Sequence, residues 1–166
     1  MKAPALKLIA MLLIAACAHI NSATAQTPQQ EEPQKGCLDV KIISAVHLYG
    51  VWQVRFTNPP AGMPASAEMM LEKHEEFGDS LSGAIQRESV TTVGHAGKAA
   101  IAGDVDEGVL VLDESSDGVS ISAVWNGELV PARCGHEVKG VWKDTSASAP
   151  PNAPDVAFTM VKRPGW

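Results

Sequence analysis

The chain has 166 residues, 45% of them hydrophobic and 19% charged, and its formal net charge is −6 at pH 7. This balance excludes an intrinsically disordered chain, and the length suits a single domain with a hydrophobic core. Because 13 basic residues stand against 19 acidic ones, the chain has no positive excess for binding nucleic acid.

Residues 1–25 have the pattern of an export signal. Lys2 and Lys7 precede an apolar run over residues 8–18. Residues 23–25 (Ala-Thr-Ala) match the A-x-A pattern that signal peptidase cuts. We therefore expect cleavage before Gln26 and release into the periplasm. The apolar run is too short to span a bilayer, so no transmembrane segment is expected.

A second interpretation of this segment depends on Cys17. Residues 14–17 (Ile-Ala-Ala-Cys) resemble the lipobox of bacterial lipoproteins, in which the cysteine is lipidated and becomes the new N-terminus. The protein would then be an outer-membrane lipoprotein anchored through Cys17. Both routes lead to an oxidising compartment, where disulfides form.

Beyond the signal, residues 26–36 form a polar linker, and residues 37–166 form the folded domain. The linker has two prolines and no hydrophobic period. The domain consists of short apolar segments of period two, separated by Gly, Asp, Asn and Pro, which is typical of an all-β protein. The predicted strands cover roughly residues 48–56, 67–74, 80–88, 97–105, 108–113, 118–125, 132–143 and 155–163.

Turn sequences connect these strands as antiparallel neighbours. Hairpin turns are predicted at residues 106–108 (Asp-Glu-Gly), 116–118 (Ser-Asp-Gly) and 126–127 (Asn-Gly). Alternation gives every strand one apolar face. A meander of eight one-sided strands can close on itself, so we predict an antiparallel up-and-down barrel. The predicted inward side chains include Trp52, Val54, Phe56, Met69, Leu71, Leu81, Ile85, Val119, Ile121, Trp125, Cys134, His136, Val138, Trp142, Phe158 and Met160.

Cys37 and Cys134 are the two cysteines of the domain, and we expect them to form a disulfide. A bridge that closes so long a loop contributes about 4 to 5 kcal/mol in the chain-entropy description. No neighbouring residue suggests a redox or metal role for the pair.

The sequence Gly50-Val51-Trp52 resembles the G-x-W that opens lipocalins and their relatives in the calycin group, which includes avidins and small bacterial protease inhibitors. The resemblance implies an up-and-down barrel in which this tryptophan packs under a basic residue from near the chain's end. Lys162 or Arg163 would take that place, and alternation puts Lys162 on the inner side.

An immunoglobulin-like sandwich is the alternative fold, because Cys37 and Trp52 are spaced as in such domains. Two features speak against it. Cys134 comes late, and residue 132 is alanine where those domains carry a tyrosine before the second cysteine.

Residues 78–82 (Gly-Asp-Ser-Leu-Ser) are similar to the nucleophile block of GDSL esterases, in which Ser80 would attack an ester carbonyl. A polar segment precedes the block here instead of an apolar strand, and the family's late Asp-x-x-His and Gly-x-Asn-Asp block are missing. We interpret the match as a turn at Gly78-Asp79 that leads into a strand.

Metal and cofactor sites are not predicted. His47, His74, His95 and His136 lack the spacing of a zinc site. Residues 104–108 (Asp-Val-Asp-Glu-Gly) resemble the opening of a calcium loop, but the third acidic position and the closing glutamate of an EF-hand are absent.

These observations predict an exported, non-enzymatic cell-envelope binding protein that holds a small apolar ligand in the barrel mouth. Trp52, Trp125, His136 and Trp142 are the candidate ligand-binding residues. Small residues on the inner faces either leave room for the ligand or, where they are glycine, serve strand bending. They are Gly83, Ala99, Gly103, Ala123 and Gly140.

The alternative function is a protein-interaction module, such as an inhibitor of a periplasmic protease or lysozyme. Its exposed elements would be the Pro-rich segments at residues 58–66 and 146–154, together with the linker. An esterase that uses Ser80 is the least favoured alternative.

Overall fold

The computed structural model describes residues 36–88 and 97–165. Its eight strands are antiparallel neighbours in chain order, and the first pairs with the last, so the sheet is a closed barrel. The predicted all-β meander barrel is confirmed, and the sandwich is excluded. The strands are β1 (Gly50–Phe56), β2 (Ser66–Lys73), β3 (Leu81–Arg87), β4 (Lys98–Asp106), β5 (Val109–Ser115), β6 (Ala123–Leu129), β7 (Glu137–Asp144) and β8 (Val156–Lys162).

Several sequence predictions lie outside the described residues. They are the export signal, Cys17, the linker up to residue 35, and His95. Among the helices of the described part of the chain, none is long and apolar enough to cross a membrane.

Strand alternation positions the core as the sequence predicts. In β2, Ala67, Met69 and Leu71 are buried, whereas Glu68 and Glu72 are exposed. The other strands send apolar side chains inward in the same way, because successive residues of a strand point to opposite faces. The largest fully buried apolar side chains are Trp52, Trp125, Leu48, Met69, Leu71, Leu81, Ile85, Leu110, Leu112, Met160 and Val54.

One predicted hairpin turn is confirmed and another is wrong. Glu107 and Gly108 connect β4 to β5 with positive φ at both residues, as a two-residue type I′ turn requires. Asn126-Gly127 lies inside β6 instead of at a turn. Gly127 faces the interior, where an added Cβ would lie 2.6 Å from Val138 Cγ1 and 3.1 Å from Phe158 Cζ. The glycine therefore makes room for packing.

The start of β6 is also corrected. The strand predicted at 118–125 begins at Ala123, and the hairpin turn predicted at 116–118 is instead part of a longer loop over residues 116–122. Val119 and Ile121 were predicted to point inward but are 90% and 51% exposed. The cause is Asp117, whose carboxylate accepts the backbone N–H groups of Val119 and Ser120 and so removes both donors from strand pairing.

Residues 37–48, which we call the N-terminal segment of the domain, close one end of the barrel. We call this end the plugged end. A 3-10 turn (Val40–Ile42) and the short helix α1 (Ala45–Leu48) precede β1. Leu48 is completely buried, and its carbonyl accepts the indole N–H of Trp52 at 2.8 Å. Burial of this segment joins the start of the domain to the barrel core.

The predicted disulfide is present and lies at the plugged end. It joins Cys37, before the 3-10 turn, to Cys134, in the connection between β6 and β7. Cys134 follows a 3-10 turn (Pro131–Arg133) and has positive φ, so it does not lie on the inner face of a strand as predicted. The bridge holds the N-terminal segment over this end.

The opposite end, which we call the loop end, contains the connections β1–β2, β3–β4, β5–β6 and β7–β8. Of these, residues 57–65, 116–122 and 145–155 are described completely. Three of the inner small residues are closely approached by the backbone of a neighbouring strand. An added Cβ at Gly83, Gly103 or Gly140 would lie 1.9 to 2.1 Å from a backbone carbonyl oxygen of the neighbouring strand. These glycines allow close strand approach.

Replacement of Gly140 tests this close approach. An alanine Cβ at this position would lie 2.0 Å from the Asn126 oxygen and 2.5 Å from Gly127 Cα, both backbone atoms. We expect Gly140→Ala to lower the free energy of unfolding by about 2 to 3 kcal/mol, as measured by urea denaturation. Gly78→Ala is the matched control, since its nearest neighbour would be Lys73 Cε at 3.9 Å. Equal stability of the two variants would contradict the packing described here.

Candidate functional site

The four candidate ligand-binding residues do not form one site. Trp125 and Trp142 lie near the loop end, where they are paired across β6 and β7. Trp52 lies near the plugged end, opposite Lys162 on β8. His136 is in the connection before β7. The three tryptophans are at most 3% exposed, so they belong to the packed interior.

The sequence prediction for His136 is wrong. It was expected to face inward on a strand between Cys134 and Val138, but β7 begins only at Glu137 and His136 is exposed. The 3-10 turn and the positive φ of Gly135 shift the chain out of strand geometry before this residue. Alternation therefore does not apply to it.

An ion pair that the sequence analysis missed lies among the loop-end tryptophans. Arg87, at the end of β3, and Glu114, near the end of β5, are 2% and 3% exposed. Their contact is bidentate: Arg87 Nη1 donates to Glu114 Oε1 at 2.8 Å, and Nη2 donates to Oε2 at 2.7 Å. This geometry gives the strongest form of arginine–carboxylate hydrogen bonding.

Glu114 also accepts both indole N–H groups. Trp125 Nε1 and Trp142 Nε1 each donate to Glu114 Oε2 at 3.1 Å. The polar atoms of the two tryptophans are thus directed to one internal acceptor. The Arg87 guanidinium carbon lies 6.0 Å from the centre of the Trp142 ring, within range of a cation–π contact. Among the described residues, Arg87 Nε is the buried side-chain nitrogen or oxygen that has no hydrogen-bond partner.

Aromatic rings surround this network. The Phe56 ring centre lies 5.6 Å from that of Trp125 and 6.3 Å from that of Trp142. Phe158 lies 4.9 Å from Trp125 in an edge-to-face arrangement. Such packing excludes water, which strengthens the electrostatic interactions of the Arg87–Glu114 pair.

The sequence did contain a signal for the buried pair. Arg87 continues the inward series Leu81, Gly83, Ile85, and Glu114 continues Leu110, Leu112. A charged residue at an inward position near the end of a strand indicates either a strand boundary or a buried ion pair. Two such residues of opposite charge near one barrel end favour the pair.

The β5–β6 loop, residues 116–122, is hydrogen-bonded to the same glutamate. The backbone carbonyl of Glu114 accepts the N–H of Ser122 at 2.7 Å and its hydroxyl at 3.1 Å. Across the loop, Ser115 Oγ donates to the Ser120 carbonyl at 2.8 Å, and the hydroxyls of Ser116 and Ser122 are 3.0 Å apart. One residue therefore links the interior network to the base of the loop.

Asp117 fixes the tip of this loop. Its Oδ1 accepts the N–H of Ser120 at 2.7 Å and that of Val119 at 2.8 Å. These two backbone donors are the main reason that the pKa of Asp117 falls to about 2. The carboxylate therefore keeps its charge, and its role as acceptor, through the whole physiological pH range. Val119 and Ile121 project into solvent from the fixed backbone.

The Gly78-Asp79-Ser80 sequence forms the connection between β2 and β3. The backbone of this connection closes on itself, because Ser80 N–H donates to the Phe77 carbonyl and His74 N–H donates to the Ser80 carbonyl. His74 Nδ1 accepts N–H groups of Glu76 and Phe77. Among the described residues, no histidine or carboxylate is hydrogen-bonded to Ser80 Oγ.

Metal-binding residues do not cluster in the described part of the chain: no group of three or more His, Cys, Asp or Glu side chains could hold an ion there.

No protein-family model matches the sequence, and comparison with curated proteins gives no match either.

A double-mutant cycle tests the buried network. We expect Arg87→Met to lower the free energy of unfolding by about 3 to 5 kcal/mol, because it leaves the Glu114 carboxylate buried without its cation. Glu114→Gln retains an acceptor for the indoles but leaves Arg87 unpaired, with a similar cost. The double variant removes both charges, so it should be more stable than either single variant in urea denaturation. Additive losses would show that the two side chains are not coupled.

Proposed function

We propose that this protein is an exported, non-enzymatic protein-interaction module, and that the β5–β6 loop is its recognition element. The observation that carries this proposal is the exposure of two aliphatic side chains, 90% for Val119 and 51% for Ile121, on a loop fixed by Asp117. Function is commonly carried by loops that a rigid scaffold positions.

The fixed backbone of the loop favours binding for an entropic reason. Ordering a mobile loop on association costs free energy, and a loop that is already ordered avoids most of that cost. By contrast, the free energy of the system falls when a partner removes the exposed valine and isoleucine side chains from water. The loop therefore suits insertion into an apolar pocket of another protein.

The interior supports this choice over a ligand in the barrel mouth. Trp125 and Trp142, expected to line such a site, are buried and donate their N–H groups to Glu114. The glycines expected to leave room instead allow neighbouring backbones to approach. A ligand entering between the tryptophans would have to displace a paired arginine.

Export is the second part of the proposal. The Cys37–Cys134 disulfide fits an oxidising compartment. The signal pattern of residues 1–25 supports release into the periplasm, and the lipobox at Cys17 supports the alternative of an outer-membrane lipoprotein. Exported proteases and lysozymes are the partner classes we propose, since both present concave substrate sites into which a convex loop fits.

Val119→Asp is the direct test, since it places a charge where an apolar pocket would receive a methyl group. In inhibition assays with a panel of exported proteases and lysozymes, we expect the wild type to inhibit at least one, and the variant to bind it at least about tenfold more weakly. Val46→Asp, at a valine that is 60% exposed in α1, is the matched control and should retain wild-type inhibition.

A photo-crosslinking residue at position 119 gives a second readout that does not depend on inhibition. It should join to the inhibited enzyme, whereas the same probe at position 46 should not. Wild-type inhibition by Val119→Asp, with no crosslink from position 119, would contradict the proposal.

A further inference from the structure

A broad polar hollow lies on the outer face of β1, β2 and β3. Its volume is about 820 Å³, and its lining includes Gln53 of β1, Glu68 of β2, Gln86 of β3 and the neighbouring Arg163. Along each strand, the lining residue stands between or beside buried neighbours, so its side chain points away from the barrel core. The hollow is therefore a feature of the outer surface of the sheet.

The three strand residues form a row directly across the sheet, which we call the polar row. Gln53 is paired with Glu68 in the β1–β2 ladder, and Glu68 is paired with Gln86 in the β2–β3 ladder. Residues directly opposite each other in antiparallel strands have Cβ atoms about 5 Å apart. The backbone pairing therefore places one hydrogen-bonding side chain on each of three successive strands.

Each glutamine of the polar row is held by one hydrogen bond to the backbone. Gln53 Nε2 donates to the Ala67 carbonyl at 3.0 Å, and Gln86 Nε2 donates to the Arg87 carbonyl at 3.1 Å. A side-chain amide has two N–H donors and an oxygen acceptor, so within the described residues each amide keeps an N–H and its oxygen for a ligand. Because both amides are already oriented, binding orders fewer side-chain rotamers.

The charged member of the polar row has a partner of opposite charge. Glu68 Oε2 lies 3.0 Å from Arg163 Nη1, and both side chains are about half exposed. An ionic ligand would have to compete with this pair. A hydroxyl group both donates and accepts, so an uncharged ligand with several hydroxyl groups can bond to the carboxylate, the guanidinium and the amides without separating the charges.

An apolar row runs beside the polar row. Met70 of β2, which is 37% exposed, is paired with Ala84 of β3, and Ala84 is paired with Ala100 of β4. Met70 lies two residues from Glu68, on the same face of its strand. A sugar ring has hydroxyl groups along its edge and C–H groups on its faces. A polar row next to an apolar row therefore matches both kinds of surface.

We propose that this face of the barrel binds an extended, uncharged oligosaccharide that lies across β1, β2 and β3. Adjacent strands are about 5 Å apart, which is close to the length of one sugar unit in an extended chain. Successive sugars would therefore each meet one side chain of the polar row. Strand faces of other small barrels also bind oligosaccharides.

This site is independent of the proposed interaction loop. It lies on β1, β2 and β3, whereas Val119 belongs to the connection between β5 and β6. Val119→Asp should therefore bind the oligosaccharide as the wild type does, and Gln86→Ala should leave the inhibition experiments unchanged. Failure of one proposal can thus be distinguished from failure of the other.

Titration with tetrasaccharides tests the site. Backbone NMR shifts of the full chain would be followed with cellotetraose and with the tetramer of N-acetylglucosamine, whose β-linkages keep the sugar chain extended. Maltotetraose, whose α-linkages curve the sugar chain, is the comparison ligand. We expect saturable shifts at residues 53, 66–70 and 84–86 with at least one extended tetramer, and at least about fivefold weaker binding of maltotetraose.

Single substitutions assign the binding to the polar row. Gln53 is half-buried and Gln86 is exposed, so Gln53→Ala and Gln86→Ala should both fold. Each removes the hydrogen bonds of one amide and should weaken binding of the extended tetramer about fivefold. Asn126→Ala is the matched control, since it removes an exposed amide from β6 on the opposite side of the barrel and should bind as the wild type does.

Glu88→Gln distinguishes an uncharged ligand from a cation. Glu88 lines the same hollow, and within the described residues no basic side chain is paired with it. An uncharged oligosaccharide does not require this charge, so Glu88→Gln should retain wild-type affinity, and loss of binding would contradict the proposal. Absence of saturable shifts up to about 20 mM of either extended tetramer, equal binding of maltotetraose, or wild-type affinity in both glutamine variants would also overturn it.

Discussion

Glu114 is the residue on which the loop end of this barrel depends. Its carboxylate pairs with the buried Arg87 and accepts the indole N–H groups of Trp125 and Trp142, while its backbone carbonyl holds Ser122 at the base of the β5–β6 loop. A buried carboxylate is tolerated only when its charge and lone pairs are satisfied. Here a single side chain meets that condition and also fixes the orientation of two large core residues.

The two ends of the barrel are closed in different ways. At the plugged end, the N-terminal segment covers the core, the disulfide holds it there, and the Lys162 ammonium is left facing a carbonyl. At the loop end, the ion pair and aromatic rings fill the interior, and the exposed Val119 projects beyond it. Because Arg87 and Glu114 form an ion pair in the interior, the proposed recognition element at this end is the exposed loop.

The sequence predicted the architecture well because strand alternation is a local property. Eight apolar faces and the turn at Glu107-Gly108 follow from short-range patterns, and the Cys37–Cys134 bridge follows from the number of cysteines in the domain. The errors arise where tertiary packing overrides those patterns. Gly127 lies inside a strand and packs against the Phe158 ring instead of forming a turn. The position of His136 depends on a preceding 3-10 turn, which strand alternation does not predict. The Arg87–Glu114 pair joins residues of β3 and β5, so the sequence shows only two inward charges, and the structure shows that they contact each other.

The proposal that recognition takes place on the surface requires a filled interior between Trp52 and Trp142. Xenon binds in empty apolar cavities of proteins, and a xenon-pressurised crystal would reveal any such space directly. We predict that no xenon site will be found inside the barrel, with Glu114 in contact with Arg87 and both indoles. A xenon atom bound between the tryptophans would contradict this account and would favour a ligand-holding barrel.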